Sequence, residues 1–536
     1  MKKTVIYVLV LVVFGGILYF YNLGGWDLWN PDEPRYAQVA KEMLQGEGLI
    51  IPHLNSEVYP DKPPLFFWLI AGTAKAIGGM NEFAARFPSA LFGLLTLLLL
   101  FFLGRRLFSE KAGFLAALIL ATTGEYLWLA RRANIDATLT FFTTAAITLL
   151  FVGFQQQKGR WILYLFAYLT MALGVFTKLQ VGVLVPFFVI GGYFLLQREK
   201  QFFNDPAHIP GIALFVAFIG GWLALAYISG GEDYLRGLLY QKTTSRLFEA
   251  TSHTRPLYYY LANFPVNFIP WIVFLPSAMI YGLSAQGRKK EFIFALFWFA
   301  IIFVSFSLFR AKRELYLLPL YPAASLMVGN LLAELPLGTE GAHRKLVSIP
   351  FVVLIFALAL TAISLPIVAA LKGALYLEHP WEIGLISALI LGGGAFLAFL
   401  AQRYRRRDLP FYIIVATVFA LSLYGATRIF PEINRYKSAR PLSQAIVSAM
   451  RPGDQLGVYQ LEGAHLIYYT GYNQMRWLEE EGKLKEFLRS PQRVLCIMRE
   501  RHYKLLEQDP MLSLSVVATG QVGSKHVVVI SNRPAP

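Results

Sequence analysis

The stretch Trp29-Asn30-Pro31-Asp32-Glu33-Pro34-Arg35-Tyr36 gathers two carboxylates, a guanidinium and a phenol into one short segment. Asn30 with Glu33 three residues later, and Pro31 between them, predicts a helix start closed by a capping box. A helix from there to about Leu44, ended near Gly46, would stack Asp32, Arg35 and Tyr36 on one face by their i, i+3 and i+4 spacing. A carboxylate so placed can orient or deprotonate an acceptor, or stabilise positive charge that develops on a substrate. The plainer reading is a capped surface helix whose acids favour its own N-terminus.

Further clusters follow. In Tyr59-Pro60-Asp61-Lys62-Pro63-Pro64 a cation held among prolines is a fixed point charge suited to a phosphate, or else a lysine snorkelling toward headgroups. Arg131-Arg132-Ala133-Asn134-Ile135-Asp136 and Arg310-Ala311-Lys312-Arg313-Glu314-Leu315-Tyr316 place cations beside carboxylates, and Lys178 stands alone. Ser252-His253-Thr254-Arg255-Pro256 precedes a run of three tyrosines. His253 with Asp61 makes half of a metal site, which leaves a divalent metal open, because two ligands of unknown proximity do not define one. The single cysteine, Cys496, permits no internal disulfide.

What must position these groups is a membrane. Of the 536 residues, 56% are hydrophobic and only 15% charged, against the roughly 25% charged that soluble domains carry. Apolar runs long enough to cross a bilayer recur about thirteen times, the first at 5–22 and the last at 410–428. With Lys2 and Lys3 in the cytoplasm, the inside connections are all basic: Arg105, Arg106 and Lys111; Lys158 and Arg160; Arg198 and Lys200; Arg288 to Lys290; Arg344 and Lys345; Arg403 to Arg407. Arg131, Arg132, Lys178 and the Arg310 to Arg313 group break that rule at outside ends, so each needs a compensating partner, which an anionic substrate or a neighbouring carboxylate would supply.

The expected architecture is an all-α polytopic membrane domain over residues 1–429, with outer loops 23–83 and 230–263, followed by a small extracytoplasmic α/β domain over 430–536. The net charge of +16 is dispersed in short clusters between apolar runs, with no basic stripe for nucleic acid. No glycine-rich phosphate loop is present, which argues against ATP or a nucleotide sugar as a substrate. A transporter or flippase is the competing class, but transporters place ionisable groups near the midplane and often carry repeats. Here the charges crowd the outer ends.

In their order, Asp32-Glu33-Pro34-Arg35-Tyr36, Asp61-Lys62-Pro63-Pro64, the Arg131 to Asp136 loop, His253 with Arg255-Pro256, and Tyr316-Leu317-Leu318-Pro319 resemble the aminoarabinose transferases of lipid A. These are relatives of the protein O-mannosyltransferases. The resemblance implies a GT-C fold, a polyprenyl-phosphate sugar donor, inversion at the anomeric carbon and lipid A or another envelope acceptor, with a protein hydroxyl as the alternative. It also implies Asp32 as the central catalytic group with Asp136 nearby. Arg35, Tyr36, Tyr59, Lys62, Arg131, Arg132, Arg255, Lys312 and Tyr316 are the expected donor-phosphate or substrate contacts, and Asp61 with His253 the position of a metal seen in some relatives.

Overall fold

The computed structural model describes residues 2–156, 158–241, 254–284, 289–335, 343–404, 406 and 408–533. Helices stand at all thirteen apolar runs. Among the described residues ten helices are long and apolar enough to cross a membrane. Two further runs are bent pairs, Glu110–Ala121 with Gly124–Ala130 at 70° and Tyr259–Asn267 with Trp271–Ser284 at 109°. The remaining run, Val181–Leu196, is a shorter apolar helix, reaching roughly 24 Å at 1.5 Å per residue against a core of ~30 Å. By length and composition ten of the thirteen qualify alone and up to twelve with each bent pair counted as one, and Val181–Leu196 carries the chain back from Lys178 toward Asp205, which pairs with Arg160 at the start of the preceding helix.

Eight helices of the first half frame the site: α1 (Lys2–Phe20), α2 (Asp32–Leu44), α3 (Leu65–Ala76), α4 (Glu82–Leu107), α5 (Glu110–Ala121), α6 (Gly124–Ala130), α7 (Ile135–Gln155) and α8 (Arg160–Lys178). Side-chain caps fix three of their starts, with Asn81 accepting from Ala84 N, Ser109 from Ala112 N and Asn134 from Asp136 N. The bundle interior is aromatic and aliphatic, with Trp271, Trp298 and Phe101 wholly buried, while residues such as Phe356, Ile363 and Leu371 are exposed. In a multi-pass membrane protein that outer apolar surface meets lipid.

The ends of the bundle sort by charge partners. At one end Thr4 Oγ1 donates to Glu110, Arg105 pairs with Glu110, and Lys111 pairs with Asp408. At the opposite end α2, α3 and a two-stranded hairpin, β1 (His53–Leu54) with β2 (Glu57–Val58), fold over the helices. Phe66 and Phe67 of α3 are fully buried and pack on Tyr36 of α2. α3 is apolar but, at 12 residues, short.

Beyond the last span comes a five-stranded sheet in the order β4-β3-β5-β7-β6, from β3 (Gln455–Tyr459), β4 (Arg476–Leu478), β5 (Val494–Arg499), β6 (Ser515–Val522) and β7 (Lys525–Ser531). β3 runs parallel to β4 and β5, whereas β5–β7 and β7–β6 are antiparallel. The sheet domain is fastened to the α2 end of the bundle. Asn55 and Met475 exchange hydrogen bonds of 2.8 Å through the Asn55 amide, Leu28 N donates to Tyr469 OH at 2.7 Å, and Arg440 pairs with Asp27 at 3.0 Å.

Candidate active site

Asp32 opens α2, and Arg35 one turn later folds back onto it, with Nη2 2.5 Å from Oδ1. The other oxygen, Oδ2, accepts from Arg313 at 3.0 Å, a residue 281 positions away. Burial works to raise the Asp32 pKa, but the two guanidiniums outweigh it and hold the carboxyl below its ordinary value. The helix does not begin as the sequence suggests. Pro31 occupies the cap position and makes no side-chain cap. Asn30 Oδ1 has no hydrogen-bond partner.

Glu33, expected to close the capping box, does something larger. Its carboxylate is buried with the wholly buried Arg86 of α4 at 2.8 Å and accepts from Arg132 at 3.1 Å, Trp29 N at 3.1 Å and Ala133 N at 3.0 Å. Arg86 spends its remaining donors on the carbonyls of Leu23, Trp26 and Asp27. This pair nails the first outer loop to the bundle and so fixes where Asp32 points. Against the cost of burial, Arg132 and Arg86 pull the Glu33 pKa down to about 2.

Around Asp32 lies a polar chamber of about 140 Å³, lined by Arg35, Tyr36, Asp61, Lys62, Asp136, Lys178, Arg313 and Tyr316 among others. Asp136, in the first turn of α7, is 2.5 Å from Lys178 Nζ at the end of α8. Lys178 Nζ also sits 4.4 Å from the centre of the Tyr316 ring. The next residue, Leu179, takes a positive φ of 49°, a strained conformation for a residue of this type. That turn sends the chain straight back along α8, and Gly182 then packs where a Cβ would lie 2.1 Å from the Gly174 carbonyl carbon. Lys62 Nζ is 3.2 Å from Asp61 Oδ2, which also accepts from Tyr59 OH at 3.0 Å.

The chamber continues into an apolar channel of about 170 Å³ walled by Leu184, Val185 and Phe188 on one side and Phe306 and Phe309 on the other. Asp61, Lys62, Asp136, Lys178, Ala311 and Tyr316 belong to the walls of both. Leu184 and Phe188 are exposed on the bundle surface, so the channel opens toward lipid. The helix over it loosens into a π turn, Phe187–Gly191, directly after Pro186, where proline withholds an N–H from the α ladder. On the far side of Asp32 a second cavity is lined by Glu33, Glu125, Trp128, Arg132, Arg313 and Glu314.

Of the residues expected from sequence, the fold brings Asp32, Arg35, Tyr36, Asp61, Lys62, Asp136 and Tyr316 to one chamber, with Tyr59 hydrogen-bonded to its wall through Asp61. Arg132 lines only the second cavity. Three cations are directed elsewhere. Arg131 is buried, donates to the carbonyls of Leu18 and Tyr21, and has its pKa pushed down to about 10 by burial and by Arg86. Lys312 is buried with its ammonium on the carbonyls of Phe309 and Arg255. Arg255 is exposed and lies over the Tyr259 ring. For Arg131 and Lys312 the partner that keeps a cation on the disfavoured side is backbone, not substrate. His253 lies outside the described residues, and among the described residues no group of three His, Cys, Asp or Glu side chains could hold a metal. Missing from the sequence reading as site residues are Arg313, Lys178, and the Glu33–Arg86 pair. Lys178 and Arg313 were visible as misplaced cations, whereas Arg86 gave no signal.

Residues 61–224 match the family model for dolichyl-phosphate-mannose-protein mannosyltransferase. An uncharacterized protein of Aquifex aeolicus (strain VF5) is 28% identical over 466 residues, 87% of this chain and 86% of that protein. The undecaprenyl phosphate-alpha-4-amino-4-deoxy-L-arabinose arabinosyl transferase of Pseudomonas aeruginosa (strain LESB58) is 31% identical over 405 residues, 74% of this chain and 72% of that enzyme. In fold, the crystal structure of ArnT from Cupriavidus metallidurans bound to undecaprenyl phosphate matches with a TM-score of 0.83 at 20% identity, over 99% of this chain and 98% of that one. The bundle with its small sheet domain is thus a GT-C fold, and the chain belongs to the family of undecaprenyl phosphate-alpha-4-amino-4-deoxy-L-arabinose arabinosyl transferases.

Proposed function

We propose that this membrane glycosyltransferase moves a sugar from a polyprenyl-phosphate donor to an envelope lipid, lipid A, from the periplasmic side of the inner membrane. Residues 1–429 would form the catalytic membrane domain and 430–536 the outer domain. The observation that carries the reading is the amphipathic cavity: one set of wall residues joins a cation-rich chamber to an apolar channel open toward lipid. An anionic head on a hydrocarbon tail is the ligand such a cavity suits.

In the reaction, an acceptor oxygen attacks the anomeric carbon as the sugar–phosphate bond breaks, and the lipid phosphate leaves with the bonding electrons. Positive charge grows on the sugar and negative charge on the departing phosphate, so cations fixed at the phosphate stabilise the transition state more than the ground state. Lys62, Lys178, Arg35 and Arg313, which line the chamber, would do that work. Asp32, ionised and flanked by two arginines, would be a weak proton acceptor at neutral pH but a standing negative charge at the reacting carbon. That favours an acceptor already ionised, such as a phosphate group, over a protein hydroxyl that must lose its proton. The protein O-mannosyltransferase reading rests on the family match over 61–224 and predicts a hydroxyl acceptor.

The test is to incubate purified protein with total membrane lipid and to follow masses. A polyprenyl-phosphate sugar should be consumed while a phosphorylated glycolipid gains one sugar. Consumption with gain of mass on protein would favour the hydroxyl reading, and consumption of no lipid-linked sugar would refute both.

A further inference from the structure

Between the first outer loop and the sheet domain lies a cavity of about 270 Å³ that the donor site does not use. Asn30 and Pro31 supply one wall, and Lys437, Glu462, His465 and Lys525 others. Pro31 also borders the second cavity beside Asp32, so this space adjoins the reaction centre on the side away from the lipid channel. His465 is 6% exposed, and its Nδ1 is buried without a hydrogen-bond partner, as is Oδ1 of Asn30. Both atoms belong to residues that line the cavity, so each can bond to a group bound there. Burial first, and then Lys525, push the His465 pKa down to about 3, so the ring is neutral and offers one donor and one acceptor.

Charge decides what kind of ligand fits. Glu462 turns toward Arg35 of the donor chamber at 3.7 Å. Among the described residues neither Lys437 nor Lys525 makes an ion pair, and the wall therefore carries a surplus of positive charge beside neutral hydrogen-bonding groups. Resting on the transfer reading above, we propose that this cavity holds a phosphate-bearing sugar of the acceptor lipid, with Lys437 and Lys525 at the phosphate and His465 and Asn30 at sugar hydroxyls. Acceptor and donor would then approach Asp32 from opposite sides, the arrangement that inversion requires. Glu462 links the two compartments, since it lines this one and touches Arg35 of the other.

Glucosamine 1-phosphate is a soluble probe of the proposed ligand, and its binding to full-length protein in detergent can be measured by calorimetry. Wild type and Lys62→Ala should bind it equally, whereas Lys437→Ala/Lys525→Ala should lose about tenfold or more in affinity, the loss of two charge-assisted contacts. In turnover, the double variant should raise the acceptor KM by a similar factor and leave the donor KM unchanged. His465→Gln, which keeps a donor and an acceptor, should bind better than His465→Ala. The proposal falls if the double variant binds as wild type does, if Lys62→Ala abolishes binding, or if wild type shows no saturable binding. Equal affinity for inorganic phosphate would overturn the sugar part and leave a free-anion site. Donor consumption measured on the same preparation keeps the two readings apart, because a protein that transfers sugar yet binds no sugar phosphate refutes the cavity alone.

Discussion

Glu33→Gln removes one negative charge from a place where two arginines depend on it. Glu33 is 1% exposed and Arg86 is fully buried, with Arg132 beside them. The fall of the Glu33 pKa from an ordinary 4.5 to about 2 corresponds to about 3 kcal/mol of preferential stabilisation of the charged form. Removing one partner of a buried pair costs on the order of 3–5 kcal/mol, in the same range. Because the folded-state pKa is depressed, this stability is fully present above about pH 4.5 and is lost as pH falls toward 2. Glutamine preserves the shape and much of the hydrogen bonding, so the experiment isolates charge. Reversible unfolding in mixed detergent at pH 7 should show Glu33→Gln destabilised by about 3 kcal/mol, with the difference from wild type shrinking as the pH is lowered below 4. A variant within ~0.5 kcal/mol of wild type at pH 7, where surface changes usually fall, would refute the view that this pair fastens the outer loop.

Lys62→Ala should reduce sugar transfer strongly, while Lys290→Ala, at the other end of its helix from the chamber, should not; equal activities at matched insertion would remove Lys62 from the phosphate site. Arg313→Met removes the arginine whose influence does most to hold the Asp32 pKa down, so the acid limb of the pH–rate profile should move to higher pH; an unmoved limb would separate Asp32 from that ionisation. A reporter fused after Pro536 should be active only outside the cytoplasm, and cytoplasmic activity would invert the proposed orientation.

Much of the site was legible because its geometry is local. Asp32, Arg35 and Tyr36 share a face through helical spacing alone, and the run of prolines around Lys62 marks a rigid segment whatever surrounds it. The charge rule then flagged cations that need partners, but it could not say which partners. Arg131 and Lys312 found backbone carbonyls, while their sequence neighbours Arg132 and Arg313 found Glu33 and Asp32. A step of one residue at a helix end or in a loop turns a side chain to another face, and no composition rule resolves that. Glu33 was misjudged for a similar reason: its spacing from Asn30 fits a cap, but its partner Arg86 lies 53 residues on and is brought in only by packing of the outer loop on α4. In the membrane region the length of the apolar runs located a helix at each of the thirteen, yet hydropathy does not register the 70° and 109° bends.

The central claim, that Asp32 is the charge at the reacting carbon of a lipid-phosphate sugar, is tested most directly by Asp32→Asn. The substitution keeps size and much of the hydrogen bonding to Arg35 and Arg313 and removes only the negative charge. Sugar transfer from the polyprenyl-phosphate donor, measured by mass spectrometry on folded and fully inserted protein, should fall on the order of 10²-fold or more, with donor binding retained. Transfer within a few fold of wild type would contradict the account and turn attention to Asp136, the other carboxylate of the chamber.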